Sequence, residues 1–106
     1  MVIKTDGKTI ETTPRVEKVI SFIFSRIEPS AHVYLIGSRA RGNHTAKSDW
    51  DFAINAGVPL QWNFFASLRQ DAADIAFPDK IDIIDLNRAP VWFLKSVSND
   101  LVEIVR

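Results

Sequence analysis

The 106-residue chain contains no cysteine. This excludes a disulfide framework, a thiolate metal site and a cysteine nucleophile. Net charge is also absent, because 13 basic residues balance 13 acidic ones. Broad binding to nucleic acid needs a basic surface, so none is expected. A local basic patch at Arg39, Arg41 and Lys47 remains compatible with that balance. No run approaches the roughly 18 apolar residues of a membrane span, and no membrane role is expected. The N-terminus lacks the basic-then-apolar layout of a signal peptide, which makes a cytoplasmic location the expectation.

What remains is the composition of an ordinary globule, 46% hydrophobic and 25% charged. One domain over residues 1–106 is expected, with a modest core. The chain has no internal repeat, low-complexity segment or linker.

Asp6-Gly7 between two short runs predicts a hairpin, with strands near Val2–Thr5 and Lys8–Glu11. Thr13 then reads as an N-cap and Pro14 as the first helical residue. Val16, Val19, Ile20, Ile23, Phe24 and Ile27 form one apolar stripe, and Pro29 ends the helix. Gln61 to Phe77 repeats the pattern through Trp62, Phe65, Leu68, Ala72, Ile75 and Ala76, with Arg69, Asp71 and Asp74 on the polar side. Its aromatics read as core rather than as a base-stacking platform. Val91 to about Val105 reads as a last helix, striped by Val91, Leu94, Val97, Leu101 and Val105 and widened by Trp92, Phe93, Val102 and Ile104. The order ββ-α-β-β-α-β-α predicts an α/β (α+β) sandwich, a mixed sheet with helices packed mainly on one face.

The chemistry is concentrated between Leu35 and Ile54. The apolar run His32 to Ile36 reads as a buried strand that stops at Gly37-Ser38. Residues Ser38 to Gly42 can begin a short helix whose first N–H groups would face an anion. A polar loop from Asn43 to Lys47 follows, with His44 read as a solvated loop residue. Ser48-Asp49-Trp50-Asp51 opens the next strand. Asp49 and Asp51 are two apart and share a face, while Trp50, Phe52 and Ile54 point to the other. Two adjacent carboxylates repel unless a cation lies between them, and hard oxygen ligands suit Mg²⁺. On the strand Lys80 to Leu86, Asp82 and Asp85 have opposite parity, so only one can face this site.

Gly37-Ser38, then Ala40-Arg41-Gly42, then Ser48-Asp49-Trp50-Asp51 resembles the nucleotidyltransferase signature of the DNA polymerase β superfamily. The spelling and the short chain are most similar to the minimal nucleotidyltransferase (MNT) subgroup, over roughly Arg15 to Arg106. Trp50 departs from the family pattern, which has a smaller aliphatic residue there. The resemblance implies a palm-like sheet, with Asp82 as the third metal-binding carboxylate and Asp85 as a structural or strand-edge residue. It implies that Asp49, Asp51 and Asp82 hold two Mg²⁺ ions and form the catalytic set, while Gly37, Ser38, Arg41 and Ser48 bind nucleotide. For Arg39 and Arg41, structural ion pairs are an equal alternative. The usual MNT companion is a helical HEPN-domain protein. The resemblance therefore implies an antitoxin that adds AMP from ATP to a tyrosine hydroxyl of a HEPN toxin. The alternative is a non-catalytic module that neutralises a helical partner by contact. A third reading, a small-molecule nucleotidyltransferase, is disfavoured because no second domain is visible to bind the acceptor.

Overall fold

Two short strands, Val2–Thr5 (β1) and Lys8–Glu11 (β2), pair antiparallel with Ile3 opposite Ile10. The structure, a computed structural model, describes residues 2–5 and 8–106. The Asp6-Gly7 turn expected between the strands lies outside the described residues. Ile10 packs against the main core.

Helix α1 (Pro14–Arg26) starts as its sequence dictates. Thr13 is extended and its hydroxyl accepts from the Val16 N–H at 3.2 Å, while Pro14 occupies the first turn, where no N–H partner is needed. Val16, Val19, Ile20 and Ile23 bury one stripe. The chain then forms β3 (His32–Ile36), α2 (Gly37–Arg41), β4 (Trp50–Asn55), α3 (Trp62–Ala76), β5 (Ile81–Asp85), α4 (Val91–Val97) and β6 (Val102–Ile104).

The sheet has the order β5-β4-β3-β6. Strands β4 and β5 are parallel and joined through α3, whereas β3 pairs antiparallel with both β4 and β6. Strand alternation sorts the side chains. Val33, Leu35, Phe52, Ile54 and Ile83 join the core that includes the stripes of α1 and α3. Tyr34, Ile36, Ala53 and Ile84 face the other way, against Phe93, Val97 and Leu101. The mixed sheet is therefore covered by two long helices on one face, and the short α4 covers part of the second. No helix among the described residues is long and apolar enough to cross a membrane.

One expected element is corrected. The last helix does not run to Val105 but stops at Val97, and Val102–Ile104 is a strand on the edge of the sheet. Ser98-Asn99-Asp100 interrupts the helical stripe with residues that favour turns. Beyond it, Val102 and Ile104 alternate with Glu103 at the strand period. They pair with Leu35 and Val33 and are buried beside them.

Candidate active site

Strand β3 ends at Ile36, directly opposite Asp51 on β4. The chain must turn at the next residue, and Gly37 does so at φ +77°, where residues with a Cβ are strained. Space imposes the same choice, because a Cβ on residue 37 would meet Asp51 Oδ2 at 2.7 Å. Ser38 then lies in the first turn of α2. Gly42, at φ +82°, ends that helix, and its N–H donates to the Ser38 carbonyl at 3.0 Å.

The loop to β4 is held from α2. The Arg39 guanidinium donates to the carbonyls of Ser48 at 3.1 Å and Ala46 at 3.4 Å, and lies 4.2 Å from the Trp50 ring centroid. Trp50 is 3% exposed and faces the helices, away from the carboxylates. Its breadth, unusual at this position, makes it a platform for Arg39. Arg39 is thus a structural clamp, with one buried atom, Nε, that has no hydrogen-bond partner among the described residues. Ser48, expected at the nucleotide, has its hydroxyl committed to the loop, where it accepts from the Thr45 N–H at 2.9 Å. His44 is exposed.

The sheet brings Asp51 and Asp82 side by side, and the charge of Asp49 reaches Asp51. Asp51 stands opposite Asp82 in the β4–β5 register, and Asp49 precedes Asp51 by two residues. Burial raises the Asp51 carboxyl above the usual carboxylate range. The negative charges of Asp49 and Asp82 push it further, and Arg41 partly offsets them. Arg41 also pairs with Asp100 at 3.1 Å, so its charge reaches the site while its side chain is engaged elsewhere.

Asp85 faces the opposite way. It is 3% exposed and accepts from the backbone N–H groups of Leu60 at 2.8 Å and Asn87 at 2.9 Å, with Arg88 Nε at 3.6 Å. It fastens the loop that leads into α3 and is structural.

All donors in the triad are hard carboxylate oxygens, whose mutual repulsion suits divalent cations such as Mg²⁺. Glycine at 37 also leaves room beside Asp51. Among the described residues, no group of three His, Cys, Asp or Glu side chains is already placed to hold a metal ion. Asp82 is instead engaged by Arg69, whose Nη2 donates to Oδ1 at 2.8 Å. Arg69 reads from the sequence only as polar decoration. The signal lay in its position on α3, four residues after the buried Phe65. A cleft of about 400 Å³ adjoins Asp82, lined by Trp62, Phe65, Trp92 and Phe93 among others. Trp62, read from the sequence as core, is 59% exposed at its rim.

Residues 17–106 match the family profile described as polymerase beta, nucleotidyltransferase. No curated protein matches the sequence significantly. Several solved structures are similar. A chain of a toxin–antitoxin complex with AMP-PNP is 25% identical, with a TM-score of 0.69, covering 86% of this chain and 72% of that one. A mutant of the toxin–antitoxin complex MntA–HpeT is 26% identical, with a TM-score of 0.69, covering 90% and 73%. The complex of a tri-AMPylated HEPN toxin of Shewanella oneidensis with its MNT antitoxin shares the fold, at 24% identity and a TM-score of 0.63, covering 84% and 67%.

Proposed function

The chain belongs to the polymerase beta nucleotidyltransferase family, and from that membership we propose that it transfers AMP from ATP to a tyrosine hydroxyl of a HEPN-domain toxin, acting as the antitoxin of the pair. The observation that carries the chemistry is the register that sets Asp51 beside Asp82, with Asp49 two residues away, where Gly37 turns the chain. The partner and the nucleotide are carried over from the structural neighbours, one of which is a toxin–antitoxin complex with AMP-PNP.

Asp49, Asp51 and Asp82 would hold two Mg²⁺ ions. When bound, these supply charge neutralisation at the triphosphate and a lowered pKa at the acceptor hydroxyl. The chain's own residues position the reactants. The backbone N–H groups of Gly37 and Ser38, with the Ser38 hydroxyl, receive the β- and γ-phosphates. The missing Cβ at residue 37 lets the nucleotide approach Asp51. Arg39 orients Asp49 indirectly, by fixing the Ser48 carbonyl and the loop before it. Arg41 adds positive charge beside Asp51. The acceptor hydroxyl gives up its proton to solvent as its oxygen bonds to the α-phosphorus, the bond from that phosphorus to the bridging oxygen breaks, and pyrophosphate leaves. Catalysis is positioning and charge neutralisation, as in other phosphoryl chemistry.

The test is mass spectrometry of the HEPN partner after co-expression with the wild-type chain and with Asp49→Asn. One or more added adenylyl groups, with wild type alone, supports the proposal. A partner that is bound and silenced but unmodified refutes it in favour of neutralisation by contact.

A further inference from the structure

Among the described residues, Asp82 is the one member of the aspartate set that forms an ion pair. Arg69 reaches it from α3 at 2.8 Å, and the two side chains are 49% and 45% exposed. The oxygen that meets the guanidinium, Oδ1, also accepts from the Ile83 N–H at 3.0 Å. The carboxylate is therefore fixed from its own strand while the guanidinium caps it from the helix. The same guanidinium lies 5.7 Å from the Phe65 ring centroid and lines the cleft beside β5, the edge strand.

We infer that Arg69 is a resident counter-ion for Asp82, displaced when a divalent cation loads, so that this residue sets the cation affinity of the site. The inference rests on the proposed metal role of Asp49, Asp51 and Asp82. Physically, a carboxylate that shares a site with two others needs a positive neighbour, and Arg69 supplies one before any cation arrives. A half-exposed ion pair is weak, so a doubly charged ion can replace it readily. The Phe65 ring face offers the released guanidinium a second resting place. Arg69 is thus a positioning residue that acts through Asp82, and its exchange ties cation loading to a change in the wall of the adjoining cleft.

The test measures Mn²⁺ binding to the full chain by electron paramagnetic resonance, alongside the cation-induced rise in melting temperature. Thermal denaturation without cation first checks that each variant is folded. Asp51→Asn should abolish binding. Arg69→Gln should tighten it two- to five-fold, about the worth of an exposed ion pair, and enlarge the thermal shift. Arg69→Lys, which keeps the charge, should return close to wild type. Arg88→Gln is the control, because Arg88 lines the same cleft but pairs with Asp85 on the opposite face. It should leave the affinity unchanged. Equal or weaker binding in Arg69→Gln, or equal tightening in Arg88→Gln, overturns the exchange while leaving the metal site in place. No binding in wild type, or undiminished binding in Asp51→Asn, overturns the metal role and the exchange with it.

Discussion

Gly37 and Asp51 touch across the end of the β3–β4 pair, since a Cβ on residue 37 would lie 2.7 Å from Asp51 Oδ2. The turn that presents backbone N–H groups and the strand that presents the carboxylate are therefore one packed unit. Added bulk at residue 37 would therefore displace the Asp51 carboxylate.

Gly37→Ala should accordingly be damaged in two separable ways. The left-handed backbone at φ +77° should lower stability by about 1–2 kcal/mol. The displaced Asp51 carboxylate should lower the transfer rate by roughly 100-fold or more, because misplacement of about 1 Å has that effect on oriented reactions. Urea denaturation and single-turnover transfer measure the two effects. A fully active variant would contradict the contact.

Asp82 and Asp85 should give opposite phenotypes. Asp82→Asn keeps the volume, removes a proposed ligand charge and relieves only an exposed ion pair, so stability should barely change while transfer falls by roughly 100-fold or more. Asp85→Asn weakens a buried acceptor of two backbone N–H groups. It should lower stability by about 1–3 kcal/mol with a much smaller effect on the rate. The reverse pattern would place the site on the other face of the sheet.

Asp51→Asn should raise the melting temperature of the cation-free protein while abolishing transfer. The folded-state carboxyl of Asp51 is held above its ordinary range, first by burial and then by Asp49 and Asp82. For such a group, the stability it contributes is present at low pH and is lost as pH rises through the folded value. At neutral pH the ionised carboxylate therefore opposes folding, and the amide does not. The gap between variant and wild type should close as pH falls below about 4, where the carboxyl is protonated in both states.

The capped helices and the aspartate parity were legible locally, whereas the last helix and two arginine roles were not. Thr13-Pro14 and Gln61 to Phe77 carry their own start and stop signals, and the period-two spacing of Asp49 and Asp51 needs no partner to be recognised. The segment from Val91 to Val105 contains a helical stripe and, within it, the strand alternation Val102-Glu103-Ile104. The choice between them is made by the otherwise free edge of β3, a partner some 70 residues away in sequence. The partners of Arg69 and Arg39 escape notice for the same reason. Their roles depend on which way α3 and α2 are rotated toward Asp82 and Trp50, and that rotation follows from packing.

Arg39→Ala should destabilise the chain by about 2–3 kcal/mol. It removes two hydrogen bonds to loop carbonyls and the guanidinium stacked on buried Trp50. The loop from Asn43 to Asp49 should become the first site of limited proteolysis, and the fluorescence of Trp50 should change. Because that loop carries Asp49, transfer should fall together with stability, and Arg39→Lys should restore only part of either, since an ammonium lacks the planar fork.

Recognition of the partner and chemistry upon it should separate by mutation. The apolar surface left for a partner on α4 and β6 is narrow. Val102 and Ile104 lie in the core and Phe93 packs toward the sheet, whereas Val91 and Trp92 are 67% and 70% exposed. Trp92→Ala should therefore weaken the complex with the proposed HEPN partner by about tenfold or more, the effect of losing an aromatic anchor, without lowering the stability of the free chain. Ile104→Ala should do the opposite, lowering stability by about 2–5 kcal/mol through a core cavity with no loss of affinity in the fraction that stays folded. Asp49→Asn, or a chelator added to wild type, should leave the complex intact and the partner unmodified. Titration calorimetry and intact-mass measurement of the partner report the two properties independently. If Trp92→Ala binds as tightly as wild type, the partner does not use this end of α4.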